Sequence, residues 1–277
     1  MNLVRSELLK IRTTATWWVL ALITFVLWAL TTLINWLQTS SLINLGAEAT
    51  EGLTPEQSEQ VLAQSDIANI AANLYTSGQF FGLLMVMLLG AIVVTNEFFH
   101  QTATTTFLTT ARRTEVIGAK LIAATILGAA FWLVTTVLNL VVGALILAAY
   151  DTGSQLGSGA IWRAIGLNAL AYALWSILGV GAGVLIRSQI GATITLVMVY
   201  LAGYFGAGIF FLAIGDRWGE WFQELQVLVP PLASQLMITG TELPGSPPQW
   251  VGAVVLVAYA VVMGVIGTLL VRRRDIS

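Results

Sequence analysis

The sequence contains no cysteine, one histidine and few charges: only 9% of its 277 residues are Asp, Glu, Lys or Arg, against roughly 25% in an ordinary soluble domain. Without cysteine there are no disulfides, thiolate metal sites or cysteine nucleophiles. With His100 as the only histidine, multi-histidine metal centres are excluded. A serine hydrolase would need a better placed base, and no GxSxG elbow surrounds any serine. No G-x-x-x-x-G-K-[ST] stretch occurs, so the chain has no P-loop with which to bind ATP. A net charge of −2 lacks the basic bias of a nucleic-acid-binding protein. Catalytic sites are built from gathered bases, nucleophiles or metal ligands, and their scarcity argues against an enzyme.

What the sequence has in abundance is apolar length, with 57% hydrophobic residues. Its ionisable residues cluster and leave six charge-free stretches, 13–47, 67–96, 121–150, 164–186, 188–215 and 243–271. A bilayer core about 30 Å thick is crossed by about 20 apolar residues in a helix, so each stretch accommodates one span. The expected fold is an all-α polytopic membrane protein, a single domain over 1–277 with spans at about 17–37, 79–97, 120–148, 164–186, 189–213 and 250–271. None of these stretches holds the mid-membrane carboxylate typical of an ion-coupled carrier, so energy for any solute movement is expected from a partner.

Lys and Arg in the connections set orientation, because cationic loops stay cytoplasmic during insertion. Placing the N-terminus inside leaves ten of the twelve basic residues cytoplasmic, with only Arg163 and Arg217 outside, and puts ten of the fourteen carboxylates outside. Both termini are therefore expected in the cytoplasm and the protein in the plasma membrane. Residues 1–14 carry Val4, Leu8 and Ile11 at helical spacing among Arg5, Glu7, Lys10 and Arg12, which predicts an amphipathic interfacial helix. The long apolar run after them is read as a retained first span rather than a signal peptide.

The first outer segment, 38–78, opens a helix at Thr54-Pro55-Glu56-Gln57, with Thr54 as cap and Pro55 in the first turn; that helix is expected to end near Gly78. The cytoplasmic segment, 99–118, holds the Thr-rich run to Thr110 and the pair Arg112-Arg113. The last outer segment, 214–248, contains an apolar run broken by Pro230-Pro231 and predicts a re-entrant or interfacial helical pair. Gly179, Gly181 and Gly183 in the fourth span suit close helix packing.

This arrangement resembles the membrane (permease) subunit of an ABC transporter of the type-2 exporter class. The resemblance covers essentially the whole chain, and its most specific stretch is NEFFHQTATTTFLTTARRTEVIGAK, residues 96–120. That stretch is similar to the family pattern of an acidic residue, a Thr-rich turn, a short helix ending near a basic pair, and a Lys opening the third span. Ala111 stands where the pattern usually has proline.

The resemblance implies a pair of permease copies, identical or related, around a central pathway, driven by a separate ABC ATPase subunit that binds ATP and Mg; this chain would bind no cofactor or metal and no nucleic acid. A coupling helix would run from about Thr102 to Thr110, with Thr106, Phe107, Leu108, Arg112 and Arg113 contacting the ATPase. Glu7, Glu97 and Lys120 would form a charge network at the inner interface, through pairs of the Glu97–Arg112 or Glu7–Lys120 type. Phe80, Phe81 and Met85 from the second span and Met198, Tyr200, Tyr204 and Phe205 from the fifth would line the pathway. The function implied is ATP-driven export of a hydrophobic or amphipathic compound such as a drug, antibiotic or lipid. The alternative is a non-transporting scaffold or immunity-type protein in the membrane, binding a partner through its acidic outer loop of Glu48, Glu51, Glu56, Glu59 and Asp66.

Overall fold

The computed structural model describes residues 2–45, 52–101, 113–218, 220–241 and 246–273, and every regular element among them is helical. In chain order these are α1 (Asn2–Arg12), α2 (Thr16–Leu45), α3 (Pro55–Ser65), α4 (Ile67–Tyr75), α5 (Gln79–Phe99), α6 (Arg113–Ala149), α7 (Gly159–Ile186) and α8 (Gln189–Leu201). A π-helical turn, Ala202–Gly206, joins α8 to α9 (Ala207–Trp218). α10 (Glu220–Glu224), a 3-10 turn (Leu225–Leu228), α11 (Pro230–Met237) and α12 (Gln249–Arg273) complete the chain. Six helical stretches are long and apolar enough to cross a membrane: Thr16–Ile43, Ile67–Phe99, Thr114–Ala149, Gly159–Ile186, Gln189–Phe211 and Gln249–Leu270.

The centre of the bundle is the pair α5 and α7. Over their most apolar stretches the second span is 83% buried and the fourth 67%, against 6% for the fifth, which packs along one side. Without a hydrophobic drive between helices in lipid, close approach depends on small residues, and the glycines of α7 supply it on two faces. A Cβ added at Gly179 would collide with Met87 O of α5, and one at Gly183 would lie 2.7 Å from Ala91 O. Gly181 faces the other way, where a Cβ would stand 2.8 Å from Met263 O of α12. Leu83, Val86, Leu89, Tyr172, Trp175 and Leu178 fill the core around this seam.

The helix expected from Thr54 to near Gly78 is two helices. Asp66 ends α3 and caps α4, its carboxylate accepting from Ala68 N at 2.8 Å, which satisfies a backbone donor that the first turn of a helix leaves open. A second break at Thr76-Ser77-Gly78 separates α4 from α5, with Gly78 at φ +80°, a left-handed conformation that glycine adopts without strain. Side chains serve the polar groups of this break. Asn139 Nδ2 donates to Ser77 O at 3.0 Å, Trp28 Nε1 donates to Asn139 Oδ1 at 2.7 Å, and Asn35 Nδ2 donates to Ser77 Oγ at 2.8 Å. Irregular backbone in an apolar environment needs such internal partners. α4 is itself buried along Ile70, Ala71, Ala72, Leu74 and Tyr75, so it belongs to the bundle rather than to an outer loop.

α11 opens at Pro230-Pro231, where the missing N–H groups cost nothing in the first turn, and packs its Ala233, Ser234 and Met237 against α12 and α7. Gly252 permits this, because a Cβ there would meet the α11 backbone at Ala233.

Candidate functional site

Charged side chains meet at one end of the bundle, where α1, the C-terminal turn of α5 and the first turns of α6 converge. On α1 the inward stripe is the buried Glu7 and Ile11 with the half-buried Val4 and Leu8, the i, i+3, i+4, i+7 pattern of an apolar face with a carboxylate inserted in it. On α6, Lys120 sits in the buried stripe of Val116, Ile117, Ala123 and Ala124. Glu97 closes the buried face of α5, one turn after Val93. Helix periodicity thus turns three charges inward, leaving Lys120 1%, Glu7 5% and Glu97 7% exposed.

Charges so placed require partners, and each finds them. Lys120 Nζ donates to Glu7 Oε2 at 2.7 Å and to Val93 O at 3.2 Å, and lies 3.0 Å from Glu97 Oε1; three donors meet three acceptors. Lys10, on the exposed edge of α1, donates to Glu7 Oε1 and to Glu97 Oε1, both at 2.7 Å. Glu7 therefore bridges both lysines with its two oxygens, and Glu97 Oε1 receives both lysines. Burial alone would lower the Lys10 pKa, but hydrogen bonds and attraction from Glu7 and Glu97 outweigh it and hold the ammonium above its ordinary value of 10.5. A raised lysine contributes stability below its unfolded value and loses it as pH rises through the folded one. The Lys10 clamp is therefore intact at neutral pH and loosens only in alkali beyond 10.5. A small cavity of about 30 Å³ lies beside it, lined by Glu7, Lys10, Asn96 and Glu97 on its polar side and Leu89, Ile92 and Val93 on its apolar side.

The structure thus brings Glu7, Glu97 and Lys120 into one network and adds Lys10, which sequence reasoning treated only as part of the basic N-terminus. Its spacing of three from Glu7 was the available signal. Thr102, Thr106, Phe107, Leu108 and Arg112 lie outside the described residues, and Arg113 opens α6. The described residues on either side of that segment, Gln101 and Arg113, follow and precede the two helices that carry Glu97 and Lys120.

A second constellation is aromatic. Phe80 of α5 lies 5.1 Å from the Tyr200 ring, 4.6 Å from Tyr204, 6.3 Å from Phe205 and 4.9 Å from Phe81, all in the range of favourable edge and tilted contacts. The π turn at Ala202–Gly206 carries Tyr204 and Phe205 to this position; such turns insert a residue into a helix and often mark functional positions. Tyr200 donates to Phe80 O at 2.6 Å, and Trp175 packs edge-on against it at 4.9 Å. α11 closes one side: Trp175 Nε1 donates to Ser234 Oγ at 2.8 Å, Gln79 Nε2 to Ser234 O at 3.2 Å, and Gln235 Nε2 to Tyr204 OH at 3.2 Å. Five of the seven pathway candidates, Phe80, Phe81, Tyr200, Tyr204 and Phe205, gather here. The other two do not: Met85 is buried in the α5–α7 core, and Met198 is 62% exposed on the outer face of α8.

Among the described residues no group of three His, Asp or Glu side chains is arranged to hold a metal ion. The family described as "Protein of unknown function (DUF2705)" matches residues 56–277, from α3 to the C-terminus, and the chain belongs to that family. No curated protein matches the chain.

Proposed function

We propose that this DUF2705 member is the permease subunit of an ATP-driven exporter, paired with a second permease copy and powered by a separate ATPase. The observation that carries the reading is the ion network of the buried Glu7, Glu97 and Lys120 with Lys10 at its exposed edge. It ties the amphipathic α1 to the two helices on either side of residues 102–110, the segment whose sequence resembles a coupling helix. A membrane protein that only needed stability would gain as much from apolar side chains at these positions, since buried ion pairs seldom improve on them. Ion pairs instead fix one geometry between helices, as a device that passes a push from a docked partner requires.

In this mechanism ATP-driven closure of the partner displaces the coupling helix at about 102–110 on the cytoplasmic side. The network makes α1, α5 and α6 move together, and the α5–α7 glycine seam carries the displacement to Phe80 and the aromatic cluster. Aromatic and amphipathic side chains there suit a hydrophobic or amphipathic substrate. The protein does no chemistry of its own; ATP and Mg belong to the partner.

The test is a tagged chain purified from its native membranes beside a variant with both Phe107→Asp and Leu108→Asp. The reading predicts that the parent brings an ATPase with it and the variant, still inserted in the membrane, does not. Equal recovery of an ATPase with both would remove the docking role of the segment.

A further inference from the structure

Helix α1 spends its apolar stripe on protein rather than on lipid. Glu7 and Ile11 are buried and Val4 and Leu8 half-buried, where α1 packs on α6 and α2 and joins α5 through Lys10 and Glu97. An amphipathic helix at a membrane surface ordinarily sinks that stripe into the headgroup and acyl boundary. Here a different face is left to meet the lipid.

That face is Arg5, Leu9 and Arg12, spaced by four and three and so aligned along α1. All three are exposed, Leu9 by 51%. Among the described residues neither guanidinium joins an ion pair, in contrast to Lys10, which Glu7 and Glu97 hold. No carboxylate offsets them, because Glu7 is the only one in residues 1–47 and it is turned inward. The face therefore carries two uncompensated positive charges about 10 Å apart along the helix.

Its depth follows from its junction with the first span. Thr13-Thr14-Ala15 alone separate α1 from α2, and Trp17 Nε1 donates back to Arg12 O at 3.3 Å. Trp17 and Trp18 are both exposed, and exposed indoles at the end of an apolar span lie at headgroup level, which places Arg12 there too. A leucine between two cations suits that boundary: Leu9 enters the edge of the acyl region while the guanidiniums reach headgroup phosphates, whose oxygens their flat forks bind in pairs. A zwitterionic headgroup brings its own cation beside the phosphate, whereas an anionic one leaves its charge to be met by the protein.

We propose that the Arg5–Leu9–Arg12 face of α1 binds anionic phospholipid, in preference to zwitterionic phospholipid, in the leaflet on which α1 lies. The site stands apart from the export reading and does not depend on it.

Native mass spectrometry of the full chain in neutral detergent, titrated with phosphatidylglycerol or phosphatidylcholine of the same acyl chains, tests it. An arginine near an anionic lipid surface favours binding about five-fold, so the parent retains phosphatidylglycerol at least several-fold more than phosphatidylcholine. The double variant Arg5→Gln, Arg12→Gln retains the two lipids equally. Arg187→Gln, which removes a basic side chain from the turn between α7 and α8, keeps the parent's preference. Equal retention of both lipids by the parent, an unchanged preference in the double variant, or its loss in Arg187→Gln overturns the proposal. If the double variant keeps the preference but loses an ATPase that accompanies the parent, the face docks protein instead of lipid.

Discussion

Lys120 Nζ donates to Glu7 Oε2 across 2.7 Å, joining the start of α6 to a helix 113 residues earlier in the chain. With Lys120 1% exposed, removing its ammonium leaves Glu7 and Glu97 short of a buried cation. Lys120→Met is expected to destabilise the protein by about 3–5 kcal/mol, measured by thermal unfolding in detergent. Because Glu7→Gln removes the other half of the pair, the double variant should cost clearly less than the two singles together. Additive losses would mean that the two residues stabilise the fold independently.

The glycine seam makes a prediction of opposite sign at two otherwise similar positions. Gly179→Ala places a methyl group against Met87 O in the most extensive helix interface and should cost about 1–3 kcal/mol as overpacking. Gly264→Ala in α12 meets nothing within 4 Å and should be neutral or stabilising by up to about 1 kcal/mol through helix propensity. Thermal midpoints of the two variants, compared with the parent, decide it.

The absence of cysteine makes the proposed orientation simple to probe, since any introduced thiol is the sole one. Ser58→Cys, in α3, is expected to react with a membrane-impermeant thiol reagent added to intact cells, and Thr110→Cys only after the membrane is opened. Labelling of the latter in sealed cells would invert the assigned topology.

The spans were legible because charge is so costly in lipid that its gaps mark where helices run: all six charge-free stretches coincide with apolar helices long enough to cross. Their ends were less so. α2 continues to Leu45 and α6 starts at Arg113, beyond the expected 37 and before the expected 120, because a helix does not stop where the lipid does. The start signal at Thr54 and Pro55 marks one helix, and the division of 54–78 into α3 and α4 comes from Asp66, whose carboxylate caps a new helix in the middle of the segment. The π turn at Ala202–Gly206 carries no sequence mark beyond Gly203 and Gly206. Glu7, Glu97 and Lys120 were legible as charges beside spans. For Lys10 the spacing of three records its bond to Glu7, but its second bond, to Glu97, depends on α1 lying against α5, a tertiary relationship that the sequence of α1 does not carry.

The central claim is that this chain works as the membrane half of an ATP-driven exporter. The direct measurement is ATP hydrolysis by the tagged protein purified from its native membranes, with its companions identified by mass spectrometry and the rate followed as hydrophobic compounds are added. The account predicts a co-purified ATPase whose turnover changes with at least one such compound. Recovery of the chain alone, or with a partner that hydrolyses no ATP, would contradict export and favour a membrane scaffold.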